Sequence, residues 1–518
     1  MMKYKILITT SGIGSRLGNL TEYTNKCLVR ISNKPAISHI VEKYPSNSEF
    51  VITLGYYGDL VRQFLTLSYP DYNFTFVEVD NYSGQNSSLG YSIMQAKSEL
   101  QCPFIFNACD TLIKAKSDVL NFIQMENDFC VGSSKEDTSQ YATLLTSGDN
   151  LLEIKKKGEI NYDYAYVGIC GIVSYKQFFQ TLENLYFNDP SDSSLHEGVV
   201  VNEMIKSVPF KFIETNGWMD IGNTGELERT RKLYKPEADV LEKKEESIYF
   251  FDKHVIKFFS NSQIALNRTY RAEALRGLVP NIVGMTNNFY KYEKVVGKLM
   301  ADIVDEKSFV ELLNWSTENL WHQKKLDNFH EICYNFYITK TKKRIKQFLS
   351  SHKDVFCVNG VNLPPIENLL NMIDKDWLCD GTPVTFHGDY ILDNILKTDD
   401  GFSLLDWRQD FGGNLELGDL YYDLAKLNHN LVVNHEIVNK GLFSDNPTDC
   451  YILCNTKLIE CQKILHEYVK NSGYDLKKVK LLTALIWLNM SPLHQYPFNK
   501  FLFNFGKFNL KKALDEQD

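Results

Sequence analysis

The sequence predicts an α/β protein of two domains, the first of which is built on a mostly parallel sheet. The chain has 518 residues, and a single hydrophobic core rarely grows beyond roughly 250–300 residues. Strand-like and helical segments alternate between Lys5 and Asp110, which is typical of a parallel sheet covered by helices on both faces. From Ser308 onwards long helical segments dominate, interrupted by one strand-rich block, Val384–Trp407.

The predicted elements of the first domain follow from the spacing of its apolar residues. Short apolar runs bounded by turn residues are predicted as strands: Lys5–Thr10, Phe50–Leu54, Phe74–Val79 and Pro103–Ala108. The segments between them have apolar residues at helical spacing and are predicted as helices: Ala36–Lys43, Gly58–Leu67 and Gly90–Leu100. The first strand ends in a glycine-containing loop, and the fourth ends just before Asp110.

A change in composition marks the predicted boundary between the domains. The segment Leu233–Ser247 (LYKPEADVLEKKEES) is charged and poor in apolar residues. We therefore predict a first domain at 1–235, a linker at 236–247 and a second domain at 248–518. The second domain begins with Ile248–Phe259 (IYFFDKHVIKFF), whose pattern predicts a β-hairpin.

Composition and charge exclude several classes of protein. The net charge of −9 and the pI of about 5.8 disfavour binding to nucleic acid through its phosphate backbone. No apolar run reaches the roughly 18 residues of a membrane span, and the N-terminus lacks the features of a signal peptide. The 11 cysteines are scattered and lack metal-ligand spacing. We therefore expect a cytoplasmic protein with free thiols, small-molecule substrates, no nucleic-acid partner and no membrane span, and we leave homo-oligomerisation open.

The loop after the first predicted strand has the composition of a phosphate-binding loop. It has the sequence SGIGSR at positions 11–16, and Lys26 follows after a stretch rich in Thr and Asn. Glycines allow backbone N–H groups to approach an anion closely, and arginine and lysine neutralise phosphate charge. For the loop alone, an ordinary tight turn is the alternative. The combination with Lys26 and with Asp110 at a strand end favours a nucleotide site.

These residues resemble the signature of sugar-phosphate nucleotidylyltransferases. GIGSRLG followed by TNKCLV is similar to that family's G-x-G-[ST]-R-[LM] and T-P-K-P-L patterns, and the resemblance extends over roughly residues 3–235, through GQNSSLG (84–90), NACD (107–110) and WMDIG (218–222). It implies Mg²⁺ held by Asp110 and Asp220, with Arg16 and Lys26 as catalytic residues. The nucleotide-binding residues that it implies are Gly12, Gly14, Ser15, Arg16, Lys26, Gly84 and Ser88.

The same resemblance points to three residues for the acceptor. Lys156 lies in KKKG, Gly168 precedes a predicted strand, and Glu197 lies in a predicted helix. A solvated charge run is the alternative for Lys156, and a solvated helix face is the alternative for Glu197. Cys27 and Cys109 replace a proline and a glycine of the family pattern, which bears on base preference more than on the charged groups.

A second catalytic pattern lies in the C-terminal half. His387-Gly388-Asp389 is followed by Asn394 and, after an apolar strand, by Asp406. This resembles the H-[GN]-D-x4-N and [IL]-D-[FWY] patterns of aminoglycoside phosphotransferases and choline kinases, and it implies a bilobal, protein-kinase-like fold for 248–518. The resemblance implies that Asp389 orients and deprotonates an acceptor hydroxyl, that Asn394 and Asp406 hold Mg²⁺ on ATP, and that His387 braces the loop.

The resemblance also suggests the remaining residues of the second domain. Lys257 would bind ATP phosphates, with Glu273 either as its partner or as a plain surface charge. Tyr290–Val296 (YKYEKVV), which includes Glu293, and then Gly297 would form the last strand and the hinge, whose backbone groups contact adenine. Trp487 and His494 are candidates for the acceptor pocket, with plain core packing as the alternative.

Together the two patterns predict a bifunctional enzyme that uses Mg²⁺ in both domains. The second domain phosphorylates a small hydroxylated acceptor, a sugar or polyol, with ATP. The first then transfers an NMP from a second NTP, with CTP or UTP favoured, and forms an activated precursor for surface polysaccharide. One alternative acceptor is choline or another amino alcohol, which an aromatic cage would suit. The alternatives of other classes are a non-catalytic nucleotide sensor in one domain and a nucleic-acid nucleotidyltransferase, which the acidic balance disfavours.

Overall fold

The computed structural model describes residues 4–234 and 243–516 of the chain. The chain divides into two compact units, Met1–Gln263 with Val283–Tyr292 and Ile264–Ile282 with Glu293–Asp518. Most of the predicted linker, 236–247, lies outside the described residues. The compact units therefore differ from the predicted ranges 1–235 and 248–518, which stay a prediction about the functional division of the chain.

The first unit begins with an α/β arrangement. Its strands are β1 (Lys5–Thr9), β2 (Arg30–Ile31), β3 (Lys34–Pro35), β4 (Glu49–Leu54), β5 (Asn73–Glu78), β6 (Phe104–Ala108), β7 (Thr111–Ile113), β8 (Phe129–Ser133), β9 (Thr143–Ser147), β10 (Asn150–Lys155), β11 (Tyr164–Ile172), β12 (Phe210–Glu214) and β13 (Trp218–Asp220). Its helices are α1 (Ala36–Val41), α2 (Gly58–Ser68), α3 (Leu89–Gln95), α4 (Lys116–Phe122), α5 (Tyr175–Asn188), α6 (Glu197–Met204) and α7 (Thr224–Lys232). The strands and helices that the sequence predicts here are confirmed.

Nine of these strands form one sheet in the order β5-β4-β1-β6-β11-β8-β12-β10-β9. β1 pairs in parallel with β4 and β6, and β4 pairs in parallel with β5. β11 is antiparallel to β6 and β8, and β10 is antiparallel to β9 and β12. The parallel prediction is therefore confirmed for β5-β4-β1-β6, whereas the other half of the sheet is mixed: β8 and β12 are parallel, and the remaining pairs are antiparallel. The connection between β9 and β10 is too short for a parallel crossover.

The central strand β1 is buried on both faces of the sheet. Ile6 and Ile8 belong to the core on one face, and Leu7 belongs to the core on the other. This alternation is the period of two expected of a strand, and burial on both faces explains the continuous apolar run in the sequence. Helices on both sides complete the two cores.

A second, four-stranded sheet also belongs to the first unit. Its strands β14 (Glu246–Phe250), β15 (His254–Phe259), β16 (Ile282–Met285) and β17 (Phe289–Glu293) follow the order β14-β15-β17-β16. The antiparallel pair of β14 and β15 confirms the predicted hairpin. Tyr249 and Phe289 pack against Phe64 of α2, with ring centroids 5.4 and 6.0 Å apart. The small sheet therefore shares a core with the large one.

The second unit is mainly helical. Its helices are α8 (Ser262–Ala274), α9 (Met300–Ile303), α10 (Glu306–Asn319), α11 (Phe329–Tyr334), α12 (Lys340–Leu349), α13 (Ile366–Met372), α14 (Lys375–Cys379), α15 (Leu420–Val432), α16 (His435–Asn439), α17 (Thr456–Asn471), α18 (Leu476–Met490) and α19 (Phe498–Asp515), with a π-helical turn at Asn335–Thr339. Its strands are β18 (Lys298–Leu299), β19 (Cys357–Val358), β20 (Val361–Asn362), β21 (Pro383–Thr385), β22 (Ile395–Thr398), β23 (Gly401–Leu404), β24 (Leu417–Asp419), β25 (Phe443–Ser444) and β26 (Tyr451–Ile452).

The core of the second unit is built around α18. This helix is buried along most of its length and packs against α12, α15 and α19. The 11 cysteines of the chain are free thiols, as predicted. Within residues 4–234 and 243–516, no helix is long and apolar enough to cross a membrane.

Phe64→Ala tests the core that the two sheets of the first unit share. Removing this fully buried ring leaves a cavity against Tyr249 and Phe289, so we expect the free energy of unfolding of this unit to fall by about 3–5 kcal/mol. Urea unfolding followed by circular dichroism measures the change. Phe187→Ala, in which a 69% exposed ring is removed, is the control. An unchanged transition in Phe64→Ala would contradict the shared core.

Candidate active sites

The glycine loop of the first unit lies directly against Lys26. Gly14 has a left-handed backbone with φ of 70°, and a Cβ built on it would lie 2.8 Å from the Cβ of Lys26. Both the dihedral angle and the close approach therefore require glycine at this position. Asn25, which directly precedes Lys26, holds this part of the chain against the end of β1, because its side-chain amide donates to the carbonyl oxygen of Thr10 at 2.8 Å.

Lys26 forms an ion pair with Asp110. Its Nζ lies 3.1 Å from Oδ2 of the carboxylate. Burial opposes ionisation of Asp110, but the ammonium group of Lys26 outweighs it and lowers the pKa of the carboxyl. The same carboxylate raises the pKa of Lys26 against the effect of burial. Both groups are therefore charged at neutral pH.

Asp220 is brought next to Asp110 by the short antiparallel pairing of β13 with β7. In this register Asp220 is opposite Thr111, and the backbone N–H of Ile221 donates to the carbonyl oxygen of Asp110 at 3.0 Å. Burial and then the nearby Asp110 raise the pKa of Asp220. Tyr141 stabilises the Asp220 carboxylate by donating its hydroxyl to Oδ2 at 2.7 Å.

Gly222 marks the point on which the charged groups converge. A Cβ built on this buried glycine would lie 3.1 Å from Oδ1 of Asp220, 3.2 Å from Oδ2 of Asp110 and 3.3 Å from Nη2 of Arg16. Two carboxylates that repel each other across so small a space favour a divalent cation between them. The described residues contain no cluster of three or more His, Cys, Asp or Glu side chains that could hold a metal. This donor set fits Mg²⁺, which commonly binds one or two carboxylates together with substrate phosphates.

Sequence reasoning missed two residues beside this site. Lys135 lies over the rings of Tyr141 and Trp218, with Nζ 4.1 and 4.7 Å from their centroids, and pairs with Glu226 at 3.3 Å. Tyr141 contacts Asp220 directly. Neither Lys135 nor Tyr141 lies in a recognisable pattern, because they reach the site only through the packing of their loop against β13.

The segment that carries the predicted nucleotide-binding residues Gly84 and Ser88 lies beside the glycine loop. Ser88 caps α3 by accepting a hydrogen bond from the N–H of Tyr91 at 3.0 Å. One turn further on, the hydroxyls of Ser92 and Ser11 are 2.8 Å apart. Gly84 lies in an exposed turn with φ of 86°. The first turn of α3 therefore packs directly against the glycine loop.

The three predicted acceptor residues have different surroundings. Lys156 is exposed, in agreement with a solvated charge run. Gly168 has φ of 77° and lies close to the end of β6, since a Cβ on it would be 3.2 Å from that of Ala108. Glu197 is buried with 4% of its surface exposed, so the solvated helix face is wrong. It lies at the start of α6, where burial raises the pKa of its carboxyl.

In the second unit, Asp389 lies in the loop between β21 and β22 and forms an ion pair with Lys426. Lys426 Nζ is 3.2 Å from its Oδ1. Burial opposes ionisation, but Lys426 and then Arg408 lower the pKa of Asp389 to about 2. The Asn394 side chain donates to the carbonyl oxygen of Asp389 at 2.9 Å. Asp406 follows β23 with φ of 55° and forms an ion pair with Arg268 of α8.

Buried polar groups hold this loop from behind. Asp423 of α15 accepts the N–H groups of His387 and Gly388 at 2.8 and 2.7 Å. His387 donates Nε2–H to the carbonyl oxygen of Leu405 at 2.8 Å, and burial lowers the pKa of its imidazole to about 4. Arg271, which sequence reasoning missed, is fully buried and donates to the carbonyl oxygens of Phe386, His387, Arg408 and Leu415. These contacts support a bracing role for His387.

The remaining predicted residues of the C-terminal half differ in their surroundings. Lys257 is buried on β15, as predicted for a lysine on a strand. Glu293 is exposed and accepts from the side chain of Asn281 at 3.1 Å. Glu273 is exposed and pairs with Arg276 on its own helix, so the structure favours the surface charge over a partner of Lys257.

A cavity of about 230 Å³ lies beside Asp389. We call it the Asp389 cavity; it is lined by Phe336, Tyr337, Lys340, Thr341, Arg344, Asp389, Arg408, Tyr422, Lys426, Leu482, Leu485, Ile486, Asn489, Met490 and Leu493. Trp487 and His494 do not line it, and their role as acceptor residues stays a prediction. Trp487 is buried against Phe505, and His494 packs edge-on against Phe498.

Comparison with known proteins matches the N-terminal half to sugar-phosphate nucleotidylyltransferases. A bifunctional protein GlmU of Methanococcus vannielii is 28% identical over 225 residues, which are 42% of this chain and 51% of that protein. The choline-phosphate cytidylyltransferase of Streptococcus pneumoniae is 33% identical over 112 residues, which are 21% of this chain and 46% of that protein. The chain spans about half the length of these curated relatives.

Among solved structures, the CTP:phosphocholine cytidylyltransferase from Streptococcus pneumoniae aligns with 45% of this chain and 99% of its own, with a TM-score of 0.38 and 18% sequence identity. The inositol-1-phosphate CTP transferase from T. maritima aligns with 45% of this chain and 95% of its own, with a TM-score of 0.39 and 16% identity. No protein-family model matches the chain.

Lys26→Met tests the ion pair of the first site through its pH dependence. Because Lys26 lowers the pKa of Asp110 in the folded protein, the pair stabilises the fold above the unfolded pKa of about 3.9 and loses this effect as the pH falls through the folded value. We expect the variant to be less stable than wild type by about 1–3 kcal/mol at neutral pH. The difference should shrink below a pH of about 4.

Urea unfolding of both proteins across this pH range measures the effect. Lys34→Met, which removes an ion pair to Glu42, is the matched control and should cost no more than about 1 kcal/mol. A loss of stability in Lys26→Met that does not change with pH would contradict the assignment.

Proposed function

We propose that this chain is a bifunctional enzyme whose first unit transfers a nucleoside monophosphate from an NTP to a phosphorylated acceptor. The observation that carries this proposal is the convergence of Asp110, Asp220 and Arg16 on Gly222, with Lys26 held beside Asp110. The sequence similarity to a GlmU protein and to a choline-phosphate cytidylyltransferase supports the same reaction class.

In the proposed transfer, an oxygen of the acceptor phosphate forms a bond to the α-phosphorus of the NTP. The bond from that phosphorus to the bridging oxygen breaks, and pyrophosphate leaves with the electron pair. Mg²⁺ held by Asp110 and Asp220 would supply charge neutralisation at the α-phosphate. Lys26 is oriented by its ion pair before the substrate binds, so its positive charge needs little rearrangement during the reaction. Arg16 adds a second cation at the same point.

The second unit forms the acceptor phosphate in this proposal. The acceptor hydroxyl attacks the γ-phosphorus of ATP, the bond to the β–γ bridging oxygen breaks, ADP leaves, and the hydroxyl proton passes to Asp389. The pKa of about 2 keeps Asp389 ionised and able to orient the hydroxyl at neutral pH. Asn394 and Asp406 are the residues that would hold Mg²⁺ against the ATP phosphates.

The pairing of the two reactions supports the proposal, because the product class of the second unit is the substrate class of the first. The leading acceptor is a sugar or polyol, the product is an activated precursor for surface polysaccharide, and the compartment is the cytoplasm. The similarity to a choline-phosphate cytidylyltransferase favours CTP as the second NTP and makes a phosphorylated amino alcohol the second candidate. Incubation with ATP, Mg²⁺, each NTP and a panel of acceptors, followed by mass spectrometry of the products, tests the assignment.

Asp389→Asn and Asp110→Asn should separate the two activities. We expect Asp389→Asn to lose ATP-dependent phosphorylation but to keep nucleotidyl transfer to a supplied phosphorylated acceptor, because the two carboxylates lie in different compact units. Asp110→Asn should give the opposite pattern. Separate assays of ADP and of pyrophosphate release measure the two reactions. Asp376→Asn, at a side chain that is 98% exposed, is the control. Loss of both activities in either folded variant would contradict the two-site proposal.

Gly222→Ala should block the first site without altering the fold. The added methyl group would occupy the space between Asp110, Asp220 and Arg16, so we expect kcat for nucleotidyl transfer to fall on the order of 100-fold or more, as for the loss of one preorganised electrostatic group. Gly225→Ala is the matched control, because its added Cβ would meet its nearest neighbour at 3.4 Å. Equal rates in the two variants would argue against a phosphate or metal at this point.

A further inference from the structure

Most of the charged side chains that line the Asp389 cavity are cationic. Four of its lining side chains are cationic, namely Lys340, Arg344, Arg408 and Lys426, whereas Asp389 is the one carboxylate among them. That carboxylate is already paired with Lys426 at 3.2 Å. The lining of the cavity therefore carries an excess of positive charge.

Two of these cations lie over the same aromatic ring. Lys340 Nζ lies 3.9 Å from the centroid of Phe336, and the guanidinium of Arg408 lies 5.0 Å from the same centroid. Arg408 also donates Nε–H to the carbonyl oxygen of Asp410 at 3.0 Å. The Phe336 ring, which lines the cavity together with Tyr337 and Tyr422, therefore already has protein cations beside it and is less available for a cation–π contact with a quaternary ammonium group.

The positive charges in this cavity oppose one another. Burial and then Arg408 lower the pKa of Lys340, with further opposition from Lys426 and Arg344 and partial relief from Asp389. Cations that are partly desolvated beside one another repel each other, and a bound anion lowers the free energy of such a cluster. Such a site is organised to gain from the binding of an anion.

We propose that the second unit phosphorylates a small hydroxylated anion, whose carboxylate or phosphate group is held by Lys340 and Arg344 while its hydroxyl lies against Asp389. This inference rests on the proposed kinase function. The cavity volume of about 230 Å³ is below the roughly 300–1,000 Å³ of pockets for drug-sized ligands, which favours a compact acceptor. Leu482, Leu485 and Ile486 of α18 form its apolar side.

The proposed phosphoryl transfer forms one bond to the γ-phosphorus and breaks one. The acceptor hydroxyl oxygen bonds to the γ-phosphorus of ATP, ADP leaves, and the proton goes to Asp389 and then to solvent. The anionic group of the acceptor takes no part in bond making. It neutralises Lys340 and Arg344 and fixes the distance from the hydroxyl to the carboxylate.

The first test compares acceptors that differ in charge, using the full chain with Mg²⁺ and ATP. Glycerol, glycerate, glycerol phosphate and choline share a small hydroxylated frame, and the two anions distinguish a carboxylate from a phosphate. We expect kcat/KM for an anionic acceptor to exceed that for glycerol by on the order of 10- to 100-fold, as for one or two charge-assisted hydrogen bonds. Glycerol or choline reacting as well as both anions would overturn the inference.

The second test assigns the effect to the two cations on α12. Lys340→Met and Arg344→Met should each raise KM for the anionic acceptor by a larger factor than KM for glycerol or KM for ATP. Lys343→Met, at an exposed position of the same helix, is the matched control for the loss of one positive charge. A rise in KM for ATP instead would assign these cations to the nucleotide and overturn the inference.

A binding measurement separates this inference from the kinase proposal. Saturation-transfer NMR with glycerate, glycerol phosphate and glycerol on the full chain should detect the anions, and their signals should fall in Lys340→Met and Arg344→Met but not in Lys343→Met. Binding of an anion without phosphorylation would contradict the kinase function and leave the anion site standing. Phosphorylation of neutral acceptors with no anion binding would overturn the anion site and leave the kinase function standing.

Discussion

The register of β1 between β4 and β6 is the constraint on which the first site depends. Thr9 is opposite Ala108 in the parallel pair of β1 and β6. The loops that follow these two residues therefore begin at the same level of the sheet, one carrying the glycines and the other carrying Asp110. Lys26 and Asp110 are 84 positions apart in the chain, and this register brings together the two loops that precede them. A slip by one residue would also exchange the two buried faces of β1, so that Ile6 and Ile8 would enter the core that Leu7 occupies.

The two candidate sites share an electrostatic feature. In each, one lysine lies close to the carboxylate that the chemistry requires: Lys26 is 3.1 Å from Asp110, and Lys426 is 3.2 Å from Asp389. In each, the lysine outweighs the effect of burial and lowers the pKa of the carboxyl. The lysine thereby keeps a half-buried carboxylate ionised, while the carboxylate remains accessible to a substrate. The sites differ in their second charge, which is another carboxylate beside Asp110 and an excess of cations beside Asp389.

The small sheet of the first unit shows why composition did not locate the compact units. The charged stretch before Ile248 has the composition of a linker, yet Tyr249 and Phe289 pack into the core that contains Phe64. Tyr249 also donates its hydroxyl to the carbonyl oxygen of Leu28 at 2.8 Å. Apolar residues in the hairpin indicate that it has a buried face, but nothing in their spacing says which helix covers that face.

The sequence by itself determined the local patterns that carry chemistry: the glycine loop with Arg16 and Lys26, the aspartates at strand ends, and the block around Asp389. Such patterns are readable because their residues lie close together in the chain and because each terminates a strand with recognisable periodicity. Only the tertiary structure brought Tyr141 and Lys135 to the first site, since loop packing leaves no periodic signal. The charge of the Asp389 cavity was decided in the same way. Its cations come from three separate segments of the chain. From the sequence alone, a lysine on a helix such as Lys340 is expected to be solvated, and only the packing of α12 against α18 places it in the cavity.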